Sequence, residues 1–351
     1  MKEIVAKRIK SARALAGLSL RELSDKLDGL VSYNAISKYE KAEMMPDSKV
    51  MLQMAKVLNV KLDYFFRPFS ISIENIEFRK KSKLGVKKVS SIKEEVIDSI
   101  TRYIEVEQFL NLASNFKNPI KNIAIPDGNA VEKAVNQLIK DWNIGINALP
   151  NVIELLEDKE IKVIEIEADA DFDGFSGWAT GNIPVIVINA QFPVERKRFT
   201  ALHELGHLLL NFNDTLSEKE IERLCHRFAG AMLMPQETFL HELGKQRSKI
   251  SVSELIAIKE TYGISIQAIM ARAKDLHVIS EERFIDFRCW VNQDPNRKKE
   301  INLGSFQGRE RSSRFKQLLY RAAAEDLVSL NKAASLANMK VADFRKEFVL
   351  L

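Results

Sequence analysis

The chain has 351 residues, 46% hydrophobic and 29% charged, with a net charge of +5, enough for two or three domains that each bury a core. No apolar run approaches the roughly 18 residues of a membrane span, and two cysteines, Cys225 and Cys289, exclude a disulfide framework and fit a reducing compartment. Met1 to Arg8 open an amphipathic helix, not a signal-peptide core, so the expected location is the cytoplasm; the basic balance permits nucleic-acid binding without demanding it.

Residues 1–66 carry apolar periodicity in five short helical pieces. The first runs from Ile4 to Leu15, with Val5, Ile9, Ala12 and Leu15 inward. Ser19 is a good N-cap for the second, 20–27, and Glu22 stands three residues on, as in a capping box. Asp28-Gly29 makes a turn, Ser32 caps a third helix over 33–40, and two more follow Pro46-Asp47 at 48–58 and 62–66. Leu20-x-x-Leu23-Ser24, Val31-Ser32, Ala35-Ile36-Ser37-Lys38-Tyr39-Glu40, Pro46 and the Leu52 to Val60 stretch closely resemble the Xre-type helix-turn-helix family. The resemblance implies that the third helix enters the major groove of double-stranded operator DNA, with Ser32, Tyr33, Asn34, Ser37 and Lys38 towards bases or phosphates and Ile36 in the core. Asp28-Gly29-Leu30 makes the turn about two residues longer than the family's usual one. A helical bundle that binds protein or dimerises without touching DNA is the alternative, since the charge excess here is only about +4.

Residues 67–118 read as a connector. A brief alternation at 70–77 is followed by the basic cluster Phe78 to Leu84, and then by a long helix near 90–114 with Ile92, Val96, Ile100, Ile104 and Phe109-Leu110 in one stripe. It reads as a spacer packed on the next domain or, alternatively, as a homodimer contact.

The third region, 119–279, carries the chemistry. A helix is expected at 127–145 with Asp127 at its cap, then a short one at 151–156, then strands at 161–166, 175–180 and 184–189. A helix at 194–211 contains His203-Glu204-Leu205-Gly206-His207 between apolar residues. Residues i and i+4 share a helix face, so two imidazoles at that spacing can ligate one Zn²⁺ while Glu204 serves as general base on a metal-bound water. The bland reading is two core histidines bonded to backbone. A catalytic zinc needs a third protein ligand, and the next helix, 217–234, offers Glu218, Glu220, Glu222 and His226.

Arg196-x-x-Phe199-Thr200-x-x-His203-Glu204-Leu205-Gly206-His207-Leu208-Leu209, followed by Glu222-x-x-Cys225-His226-x-Phe228-Ala229-x-x-Met232-Leu233-Met234-Pro235, resembles the ImmA/IrrE metallopeptidases. That family is similar to the gluzincins, in which a glutamate of the following helix is the third ligand. Alignment on Phe228-Ala229 and Leu233-Met234-Pro235 places that glutamate at Glu222, with Glu218 as the fallback. His226 fills a position usually held by Asn and is expected behind a ligand, orienting it. Cys225 stands where the family has a small Ala and reads as core. Ser176-Gly177-Trp178 and Asn189 also resemble family positions, lining the cleft or shaping a turn, while His241 and His277 are unplaced.

Helices at 252–262 and 265–276 form a helix-turn-helix-like appendage. Beyond 281, loops are expected around Trp290 and Arg297-Lys298-Lys299, then helices at 312–329 and 331–348 with Ser329 as a cap. The whole reads as a mainly α, α+β chain: an N-terminal five-helix Xre/Cro-like domain, a gluzincin-like domain and a helical C-terminal region, 280–351. The resemblance implies a zinc endopeptidase tethered to DNA, whose protein substrate is a repressor of the Xre type. The rival is an Xre-family regulator or antitoxin whose metal domain is structural or sensory. Mn²⁺ or Fe²⁺ would also accept two imidazoles and a carboxylate.

Overall fold

Side-chain caps start most of the short N-terminal helices. The computed structural model describes residues 1–67, 73–74, 85–112, 115–180 and 182–349, so the expected basic cluster at 78–84 and most of the alternation at 70–77 lie outside the described residues. The chain divides into two compact units, Met1–Ser114 with Ala179–Gly181 and Ser313–Leu351, and Asn115–Trp178 with Asn182–Ser312. The first unit opens with α1 (Lys2–Leu15), α2 (Leu20–Lys26), α3 (Tyr33–Glu40), α4 (Ser48–Val57) and a 3₁₀ turn at Leu62–Phe66. Ser19 and Glu22 satisfy each other's backbone N–H groups at the start of α2, and Ser32 and Asp47 cap α3 and α4. Asp28 and Gly29 both take left-handed backbone, which turns the chain between α2 and α3. Val5, Ile9, Leu23, Ile36, Met54 and Phe65 fill the core, and Arg13 ties α1 to the end of α3 by a two-pronged pair with Glu40.

Helix α5 (Val86–Phe109) buries Ile92, Val96 and Ile100 as the stripe requires, but Tyr103 and Val106 continue it while Ile104 is only half-buried. Within the first unit, Ser91 of α5 donates to the Leu15 carbonyl of α1.

The second unit contains β1 (Ala124–Ile125), α6 (Gly128–Trp142), α7 (Val152–Asp158), β2 (Lys162–Ile166), β3 (Gly174–Ala179), β4 (Ile183–Asn189), α8 (Val194–Leu209), β5 (Asn211–Phe212), α9 (Glu218–Leu233), α10 (Gln236–Leu243), α11 (Val252–Tyr262), α12 (Ile266–Asp275), α13 (Glu281–Asn292) and α14 (Pro295–Lys298). Strand β4 lies between β3 and β2. All seven of its residues are buried, as suits a central strand. It runs parallel to β2, with Lys162 opposite Val185 and Ile166 opposite Asn189. β1 and β5 form a small parallel pair. The loops expected around Trp290 are helical instead: Ser280 caps α13, Asp294 caps α14, and the Arg297 guanidinium lies 4.5 Å from the Trp290 ring. Only Val291 of α13 is buried, which explains why its apolar period is faint. The segment after α14 straps the unit together. Glu300 accepts from Lys259 and from the N–H groups of Ile266 and Gln267, while Glu310 accepts from Arg198 and the Ile153 N–H.

The tail returns to the first unit as α15 (Arg314–Ala324), α16 (Leu330–Leu336) and α17 (Val341–Glu347). The helix expected over 331–348 is thus two. Asn338 takes left-handed backbone and the Met339 N–H reaches back to the Ala334 carbonyl, closing α16. Asp326 and Leu327 end α15 in the same way, short of the expected 329. Leu318, Leu319, Ala322 and Phe344 share a core with Tyr103, Val106 and Leu110 of α5. Lys61 donates to the carbonyls of Ala334 and Met339, and Arg102 to that of Leu336. From Tyr103 onwards the stripe of α5 is therefore covered by the tail within its own unit.

Candidate metal centre

Helix α8 follows the buried strand β4 and turns Ala201, Leu202, Leu205, Leu208 and Leu209 into the core. That fixes its rotation and leaves His203 and His207 together on another face. Their Nε2 atoms lie 3.0 Å apart. Helix α9 crosses this face, and Gly206 makes the approach possible: a Cβ there would lie 3.2 Å from the Phe228 ring and 3.4 Å from the Cys225 sulfur. Of the acidic candidates on α9, Glu220 is spent on the helix cap, where hydrogen bonds from Ser217 hold its carboxyl below the ordinary carboxylate range. Glu222 lies two residues further on and faces α8. Its carboxylate oxygens lie 3.5 Å from each Nε2. Among the described residues, His203, His207 and Glu222 form the one cluster able to hold a metal ion, and Glu218 is outside it.

The donor set fits a divalent cation. The two imidazole nitrogens lie 3.0 Å apart, with Glu222 Oε2 3.5 Å from that of His203 and Oε1 3.5 Å from that of His207. A tetrahedral ion with bonds of about 2.0–2.1 Å has ligand–ligand edges of about 3.3 Å. Nitrogen lone pairs facing each other at 3.0 Å repel unless a cation or proton lies between them. Three such donors leave a fourth tetrahedral position for water or substrate.

Glu204 is buried, and its Oε2 accepts the Ser176 hydroxyl at 2.8 Å. Ser176 is on β3, so the sheet steadies the carboxylate of the motif helix. Trp178, two residues along the same face, packs on Phe116. Asn189 instead shapes a turn: fully buried, it donates to the carbonyls of Ala168, Asp169 and Phe172. His226 is exposed, with its ring stacked on Phe199 and 4.4 Å from that of His203. Cys225 is core, as its residue type suggests, but its sulfur also lies 3.1 Å from His207 Nδ1. Its position three residues after Glu222 is the signal that could have shown this, because i and i+3 share a helix face. His241 is exposed on α10 and His277 follows α12; neither joins the cluster.

In the first unit, Ser32 spends its side chain on the Ala35 N–H at the start of α3. Tyr33, Asn34 and Lys38 are exposed, Ser37 is half-buried and Ile36 is fully buried. The Arg21 guanidinium lies 5.5 Å from the Tyr33 ring.

Residues 156–274 match the IrrE N-terminal-like domain and residues 9–65 match the helix-turn-helix family. The chain thus joins a segment similar to Xre-type helix-turn-helix proteins to one similar to the ImmA/IrrE metallopeptidases. The IrrE-type part is 35% identical over 128 residues to the radiation response metalloprotease IrrE of Deinococcus radiodurans, covering 28% of this chain and 39% of that protein. Its counterpart in Deinococcus deserti is 37% identical over 101 residues, 22% of this chain and 36% of the relative. The HTH-type transcriptional regulator ImmR of Bacillus subtilis is 32% identical over 71 residues, 20% of this chain and 54% of the relative. The chain thus spans between about a third and about half of these relatives. No helix among the described residues is long and apolar enough to cross a membrane.

Proposed function

We propose that this chain is a DNA-binding, zinc-dependent endopeptidase that cuts a repressor-type regulatory protein and so controls transcription. The observation that carries the reading is the convergence of His203, His207 and Glu222 beside Glu204. The three would hold the ion through both Nε2 atoms and the carboxylate. A bound zinc supplies Lewis acidity and a water acidic enough to attack near neutral pH. Glu204, steadied at Oε2 by Ser176, takes the proton and returns it to the amide nitrogen that leaves. An extended peptide would lie beside the site near Ser176, which bonds Glu204, and Trp178 two residues on. Ser32, Tyr33, Asn34, Ser37 and Lys38 would meet double-stranded DNA. Holding both activities in one chain raises the local concentration of the peptidase near a repressor on the same DNA.

The test is Glu204→Gln, which keeps the three ligands and the shape of the site. The variant should bind zinc and DNA as the parent does while its cleavage of repressor-type proteins is lost. Regulation that survives this change would overturn the peptidase reading in favour of a regulator whose metal domain is structural or sensory.

A further inference from the structure

The two histidines of α8 are not held alike. His203 Nδ1 is buried without a hydrogen-bond partner, whereas His207 Nδ1 lies 3.1 Å from the Cys225 sulfur. Cys225 is fully buried and follows Glu222 by three residues on α9. Glu222 faces His207 Nε2 from one side, and Cys225 meets the opposite nitrogen of the same ring. When Nε2 is given to the ion, the neutral ring keeps its proton on Nδ1, and a sulfur at this distance is placed to accept it. A cysteine that only filled space would have no need to meet a ring nitrogen. A cysteine acting as a further ligand would lie on the Nε2 side, and this one does not.

We propose that Cys225 is a positioning residue for metal binding: its Sγ accepts the Nδ1–H of His207 and fixes the tautomer and ring rotation that present Nε2 to the ion. The inference rests on His203, His207 and Glu222 being the metal ligands. Outer partners of this kind change metal affinity by about 10–100-fold when removed. Sulfur is a weak acceptor, which places the effect at the lower end. Gly206 belongs to the same device, since its missing Cβ lets α9 bring the sulfur to the ring.

The test is the zinc affinity of the full chain and its Cys225→Ala and Cys225→Ser variants, measured by competition with a chromophoric chelator. Thermal unfolding of the metal-free proteins runs alongside as the control for packing. Cys225→Ala should lose about tenfold in affinity, while Cys225→Ser, which keeps an acceptor, should stay within about threefold of the parent. In the zinc-loaded parent the His207 Nδ1–H should give a downfield proton resonance protected from exchange, and in Cys225→Ala that protection should be lost. Equal affinities for parent and Cys225→Ala would overturn the proposal. So would equal losses in both variants, because the sulfur's volume and not its acceptor would then matter. A parent chain that binds no zinc would instead overturn the ligand assignment, and this inference with it.

Discussion

Removing Glu310 should destabilise the second unit far more than removing Glu310 and Arg198 together. Both side chains are fully inaccessible, with Arg198 Nη1 2.8 Å from Glu310 Oε2. Burial pushes the Glu310 carboxyl up and the Arg198 guanidinium down, so in each group desolvation outweighs the partner's attraction. Breaking a buried pair from one side costs about 3–5 kcal/mol, because it leaves an uncompensated charge. Arg198 keeps bonds to the Leu149 and Tyr262 carbonyls, which places Glu310→Ala near the lower end, about 3 kcal/mol. In a unit of this size that is roughly 6–12 °C in Tm. The paired change Arg198→Met with Glu310→Leu removes both desolvated charges and should cost less than the single change. All three tryptophans, Trp142, Trp178 and Trp290, lie in this unit, so urea unfolding followed by their fluorescence reports it alone. A loss below about 1 kcal/mol for Glu310→Ala, or a double variant weaker than the single one, would refute the reasoning.

Gly206→Val should reduce zinc affinity at least tenfold by forcing α9 and its Glu222 away from α8, since even a bare Cβ would sit 3.2 Å from Phe228; equilibrium dialysis with zinc checks it, and undiminished affinity would mean the helices tolerate separation. Glu254, held at about 2 by the Ser251 N–H, Arg247 and the Ser251 hydroxyl, is depressed on folding, so its contribution is present above the unfolded value of 4.5 and is lost as pH falls towards about 2. Glu254→Gln should therefore flatten the fall in urea stability across that acid window and leave the slope above it unchanged.

The reasons some features could be read from residues alone are local. Ser19, Ser32, Asp127 and Ser329 all cap helices where their residue types place them, because capping needs nothing beyond three residues of chain. His203 and His207 share a face for the same reason. The strand β4 was visible as a continuous apolar run, since both its faces are covered. What local pattern could not supply was long-range pairing. Glu310 is 112 residues from Arg198 and Lys61 is 273 from Ala334, and nothing in either neighbourhood marks the partner. Helix α13 escaped because only Val291 is buried along it, so its period is weak. Cys225 reads as core because it stands where the family has a small Ala, while its spacing from Glu222 also places it on the face that meets His207.

The central claim is that two histidines of α8 and one glutamate of α9 hold a metal ion, and bound metal per chain tests it most directly. Elemental analysis of the full chain and of His203→Ala and Glu222→Ala, each loaded with zinc and freed of excess, should find about one zinc in the parent and almost none in either variant. A parent that takes up no zinc, or a Glu222→Ala protein that keeps its full complement, would contradict the account.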